Sequence, residues 1–157
     1  MEFLEKDLEQ IIFEADRDML AKKGLKIFGK LLRQVKIGNY GAADLVSVER
    51  PKYVPPGGFH EPMTITVFEL KKEKIGVSTF LQALGYLRGI SRYLEVRKVD
   101  LPYELRIVCI GKSMDTNSSY AYLPDFTEIV ENYTYSYSID GIKFKIEKQY
   151  GLKEEGF

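Results

Sequence analysis

Between Thr64 and Gly111 the chain changes its hydrophobic period twice, and that switch limits the fold more than any other feature. TITVFELKK (64–72) is rich in β-branched and aromatic residues and reads as an interior strand. After a short charged link, residues 77 to about 96 carry apolar side chains at helical spacing, with Val77, Phe80, Leu81, Leu84, Leu87, Ser91 and Leu94 as the expected buried stripe. Beyond Pro102, ELRIVCIG is again an apolar strand.

The flanks fit the same scheme. Leu4, Leu8, Ile11, Ile12, Ala15 and Met19 form one helical stripe, ended by Lys22, Lys23 and Gly24. From Leu25 to Val48 the pattern is strand-like: LKIFGKLLRQVKIG, a turn at Asn39, Tyr40 and Gly41, then ADLVSV. ERPKYVPPGGFHEPM holds four of the six prolines and reads as the tip of a long hairpin. YTYSYSIDGIKFKIE predicts a second hairpin around Asp140 and Gly141. The expectation is an α/β fold: a central mixed β-sheet flanked by helices, closing on a C-terminal β-hairpin, with residues 1–157 as one domain.

Composition narrows the function. At 157 residues, roughly 70% of the unfolded surface can be buried, so no staple is needed. The single Cys109 and single His60 exclude a zinc finger and an internal disulfide framework. Met1 to Asp7 is acidic rather than a basic leader, and no apolar run is long enough to span a bilayer, so a cytoplasmic protein without membrane contact is expected. Lys plus Arg and Asp plus Glu are 23 each, which argues against a general architectural DNA binder but leaves room for a local basic patch.

Asp44, Glu69 and Lys71 stand out for where they fall. Asp44 opens one expected strand; Glu69 and Lys71 lie two apart on the next and so share a face. Pairing of the two strands would bring both carboxylates together. Two carboxylates and the backbone carbonyl of Leu70 suit Mg²⁺ or Mn²⁺, and a neighbouring lysine suits an attacking water and a developing negative charge. That is the chemistry of phosphodiester hydrolysis.

GAADLV followed by VFELKK resembles the motif of the PD-(D/E)XK nuclease superfamily, with Ala43 where many members carry Pro and a long Pro-Gly insertion before Glu69. EKDLE (5–9) is similar to the opening helix of Holliday-junction resolvases and of NucS-like and RecB-like nuclease domains. LQALGYLRGI (81–90) resembles their post-motif helix. The resemblance runs from Glu5 to about Tyr93. It implies a restriction-endonuclease-like fold and a Mg²⁺-dependent DNA nuclease with catalytic Asp44, Glu69, Lys71, Glu5 and Gln82. Asp44, Glu69 and the Leu70 carbonyl would hold metal, and Glu9 is the alternative to Glu5. Tyr86, Arg88, Arg92 and Lys72, with Lys74, would face substrate, although Gln82, Tyr86, Gly89 and Tyr93 share a helix face that reads equally well as a second packing face. The competing reading is an inactive nuclease-like module that binds nucleic acid or a protein, and a homodimer is left open.

Other signals carry less. Gly111, Lys112 and Ser113 lack the first glycine of a phosphate loop, since Arg106 stands there. Cys109, between Val108 and Ile110, reads as a buried thiol. Tyr133, Tyr135 and Tyr137 alternate onto one face, which reads first as half-buried sheet and second as a platform for bases or a dimer contact.

Overall fold

The computed structural model describes residues 5–50, 53–54, 59–60 and 62–147. Helix α1 spans Glu5–Glu14 and buries Leu8 and Ile12 completely. It stops before Asp16, whose carboxylate accepts from the Asp18 amide at 2.7 Å and caps a separate helix α2, Arg17–Lys22. The single N-terminal stripe is thus corrected: a capping aspartate satisfies free amides better than helix continuation does. Past the break the phase shifts, burying Leu20 and leaving Met19 half exposed. Gly24, at φ +105°, ends α2 as expected, with the Leu25 amide donating back to Leu20 O at 2.9 Å.

Strand β1 is Lys30–Lys36 rather than beginning at Leu25. The carbonyls of Ile27 and Gly29 are taken by the Arg17 guanidinium, at 2.9 and 2.7 Å, instead of by a ladder. A 3₁₀ turn at Gly38–Tyr40 leads to β2, Ala42–Glu49. Two short strands, β3 (Tyr53–Val54) and β4 (Phe59–His60), pair antiparallel as the expected hairpin extension. Its tip and the side chain of His60 lie outside the described residues.

Then follow β5 (Met63–Leu70), β6 (Lys74–Ile75), helix α3 (Val77–Val96), β7 (Tyr103–Gly111), β8 (Ser113–Met114), β9 (Val130–Ser138) and β10 (Gly141–Glu147). The main sheet has six strands in the order β1-β2-β5-β7-β9-β10. The β5–β7 and β7–β9 pairs are parallel and the rest antiparallel, so the sheet is mixed as expected.

Apolar side chains alternate across this sheet into two cores. One lies under α3 and includes Val46, Val67, Ile107, Cys109 and Val130. The other lies under α1 and α2 and includes Leu45, Phe68, Leu70, Val108, Tyr133 and Phe144. Helix α3 seats on its core with part of the expected stripe: Leu87 and Leu94 are buried and Phe80 partly so, together with Thr79, Ala83, Tyr86 and Gly89, whereas Val77, Leu81 and Leu84 are exposed. The small residues permit close approach. A Cβ at Gly89 would overlap Ile37 and the ring of Tyr40. Among the described residues, no helix is long and apolar enough to cross a membrane.

Candidate active site

Strands β2 and β5 pair from Glu49 opposite Thr64 to Leu45 opposite Phe68, and pairing stops there. One step further, the same register would place Asp44 opposite Glu69. The ladder opens at this point, and the Asp44 Oδ2 accepts the Leu70 amide at 3.2 Å in place of a backbone carbonyl. The opening has a local cause. Ala43 and Val46 both sit in the core under α3, so strand alternation breaks between them. On β1, Leu31 packs in one core and Val35 in the other, and between them Gln34 has φ +49°. The two irregularities face each other in the β1–β2 register, where Arg33 pairs with Leu45 and Val35 with Ala43.

Glu69 follows Ile65 and Val67 on the α3 side of the sheet and is 3% exposed. Its Oε1 lies 3.7 Å from Lys71 Nζ, while its Oε2 is buried and has no hydrogen-bond partner among the described residues. Lys71 Nζ also donates to Gln82 Oε1 at 3.2 Å, and Gln82 Nε2 donates to the Tyr86 hydroxyl at 3.1 Å. Tyr86 is itself buried, so a short chain of side chains anchors the lysine to α3.

Both carboxyls hold their protons more tightly than usual. Burial pushes Glu69 up to about 7; the charge of Asp44 adds to this and Lys71 opposes it. Asp44 is raised by burial first, opposed by the Leu70 hydrogen bond, then raised further by the charges of Glu9 and Glu5. A site that disfavours two adjacent anions while leaving a carboxylate oxygen without a partner suits a cation.

Among the described residues, no group of three or more His, Cys, Asp or Glu side chains gathers at metal-binding spacing. The side chains nevertheless fit a hard cation that keeps several waters, with Asp44 and Glu69 supplying carboxylate oxygens and Leu70 held beside them through its amide.

Glu5 and Glu9 separate clearly. Glu5 Oε1 accepts the Lys72 amide at 3.3 Å, and its charge is felt at both Asp44 and Glu69. Glu9 is 5% exposed and committed elsewhere: Arg33 Nε donates to its Oε2 at 2.8 Å, and the Gln34 amide donates to its Oε1. Of the expected substrate-facing residues, Tyr86 is buried and acts through Gln82, and Lys72 borders the site. Arg88 is not brought to it. It lines a shallow apolar cleft with Leu81, Leu84 and Leu105, and six residues place it well around α3 from Gln82. Arg92, one turn further on that side, is exposed.

Several residues that bear on the site carried no signal in the sequence. Arg33 and Gln34 immobilise Glu9, but the backbone turn at Gln34 has no glycine to announce it. Beside Glu69 in the β5–β7 register, Cys109 is buried as its apolar neighbours implied, with its thiol pushed up to about 12 by burial, and Tyr120 donates to Asn132 Oδ1 at 2.6 Å. A cavity of about 610 Å³ lies elsewhere, lined by Arg106, Phe126, Glu128 and Glu147 among others, and none of the residues above lines it except Asn132. No protein-family model, curated protein or solved structure matches this chain.

Proposed function

We propose that this chain is a metal-dependent nuclease of the PD-(D/E)XK type, on a restriction-endonuclease-like fold, that hydrolyses phosphodiester bonds of DNA in the cytoplasm. One observation carries the reading. Where β2 and β5 part, Asp44 and Glu69 are held together against their mutual repulsion, with a carboxylate oxygen left without a partner and Lys71 within reach. Bound Mg²⁺ or Mn²⁺ would supply Lewis acidity toward a phosphoryl oxygen and acidify a water.

The chain's own groups do the rest. Asp44 and Glu69 hold the cation, and Lys71 is placed to orient a water and to offset charge that builds on phosphorus. Gln82 and Tyr86 restrict where the Lys71 ammonium can go, which is positioning rather than chemistry. The choice of DNA rests on the motif resemblance.

One observation favours the non-catalytic alternative. The chain has no net charge and Arg88 sits away from the site, so phosphate-binding groups beyond Lys71 and Lys72 must come from elsewhere. A divalent-metal titration followed by a cleavage assay on linear and branched DNAs separates the two. Metal-dependent cleavage is expected. Binding of nucleic acid or a protein with neither metal uptake nor cleavage would establish the module instead.

A further inference from the structure

Strand β9 stays paired with β7 only as far as Gly111 opposite Thr134. Beyond that, β9 and β10 run on as a two-stranded arm that turns at Ile139 and Asp140. The arm is fixed at several points. The Phe144 amide donates to Lys23 O at 2.7 Å, Lys23 Nζ donates to Asp140 O at 2.9 Å, and the Tyr135 hydroxyl donates to Lys72 O at 2.8 Å. The last contact joins the arm to the residue after Lys71.

The arm's two faces differ. Tyr133, Tyr135, Ile142 and Phe144 pack into the core under α1. The opposite face carries Thr134 and Ser136, paired with Lys145 and Lys143, and both lysines are exposed. That face continues from Val130 in the α3 core, so it is the face of the sheet on which Glu69 lies. At the apex, Ile139 is fully exposed. Gly141, at φ +94°, takes the left-handed position of the turn, and an exposed apolar side chain at the apex gains no packing in return.

Resting on the nuclease reading, we infer that this arm grips the substrate: Lys143 and Lys145 bind backbone phosphates of the DNA flank, and Ile139 packs against a base at a break in stacking. Four residues separate Tyr135 from Ile139, about 13 Å along a strand. In this arrangement the apex meets the DNA on the flank rather than at the cut. A continuous duplex offers no gap there. A branched or frayed duplex does, because its bases can be parted at little cost, and apolar side chains at DNA-binding surfaces act as such wedges. The arm also supplies the phosphate contacts that Arg88 does not.

Binding of the full chain is measured in EDTA, so that nothing is cut, on a continuous duplex of about 30 bp and on a branched DNA of equal length, across a salt series. Lys143→Ala with Lys145→Ala should weaken both DNAs about tenfold at low salt and flatten the salt slope by about two, while Lys143→Arg with Lys145→Arg should retain affinity. Ile139→Ser should leave the continuous duplex unchanged and reduce the preference for branched DNA about tenfold. Unchanged affinity in the alanine pair, or wild-type protein that binds neither DNA, overturns the arm; an unchanged preference in Ile139→Ser overturns the wedge. Variant-sensitive binding without cleavage in Mg²⁺ sinks the nuclease reading and leaves the arm. Cleavage with variant-insensitive binding does the reverse.

Discussion

Two buried glutamates sit at opposite ends of one cluster, and their surroundings could hardly differ more. At the α1–β1 junction Glu9 gives one oxygen to Arg33 and the other to Gln34. In the β2–β5 opening Glu69 has a lysine at 3.7 Å, a second carboxylate beside it, and an oxygen that none of the described residues satisfies. Both are almost inaccessible, at 5% and 3% exposure. Burial alone therefore does not mark a functional acid. A buried carboxylate with both oxygens bonded holds structure together, whereas one with an oxygen left unsatisfied carries a cost that a bound cation can offset.

The largest contrast should appear in catalysis. Lys71→Ala is expected to lower cleavage about a hundredfold to a thousandfold while leaving metal and DNA binding nearly intact, because a group that orients water and meets developing charge acts mainly in the transition state. Glu69→Ala should lose cleavage and metal affinity together. Calorimetric metal titration beside single-turnover rates reads both. A Lys71→Ala enzyme that cuts normally removes the role given to that lysine.

Stability should show the opposite ranking. Arg33→Ala leaves the Glu9 carboxylate buried without its cation and should cost about 3 kcal/mol, the low end for a broken buried pair because Arg33 is itself partly exposed. Glu69→Gln removes a charge that the fold disfavours, and should be neutral or stabilising in metal-free protein at pH 8. Denaturant unfolding of the two variants side by side measures this. An Arg33→Ala variant as stable as wild type would mean that the two acids do not differ as described.

The pH dependence sharpens the same point. Glu69 binds its proton more tightly folded, at about 7, than unfolded, at 4.5. The contribution is fully present below pH 4.5 and is lost as pH rises through 7, since the folded state holds the extra proton across that window. Metal-free protein should lose on the order of 2–3 kcal/mol from this group between about pH 4.5 and 8. The raised Asp44 acts in the same direction. Glu69→Gln should flatten the curve, and added Mg²⁺ or Mn²⁺, which binds the ionised form, should restore stability at the high end. Thermal melts across pH with and without metal test it; a wild-type curve that rises toward pH 8 without metal is incompatible with this account.

The strand bearing Glu69, which ends at Leu70 just short of Lys71, the helix after it and both hairpins were legible in the sequence because period and turn chemistry are local. The break at Asp16 was also written there, in a capping residue that the apolar stripe of α1 outweighed. The face α3 buries was legible in part. Leu87 and Leu94 of the apolar stripe are buried, but Val77, Leu81 and Leu84 are not, and Gly89 is buried where Ile37 and the ring of Tyr40 close over it. Motif spacing placed Asp44 near Glu69, but the irregularities at Gln34 and Asp44 that open the ladder depend on pairing between strands. Lys143 and Lys145 alternate with Ile142, Phe144 and Ile146 along the chain, but only the sheet order puts them on the face of Glu69.

Glu5 falls between the two glutamates of the comparison, and its variant should have the smallest effect. It binds the Lys72 amide and adds negative potential at both Asp44 and Glu69, without bonding to either carboxylate. A residue acting at that remove from a metal typically contributes about tenfold in affinity or rate. Glu5→Gln keeps an oxygen to accept the Lys72 amide and removes the charge, so cleavage should fall about tenfold with the melting temperature unchanged. Glu5→Ala removes both and should fall further. If Glu9→Gln lowers cleavage at constant stability while Glu5→Gln does nothing, α1 serves the site through its second acid, and the division between structural and functional glutamates is drawn in the wrong place.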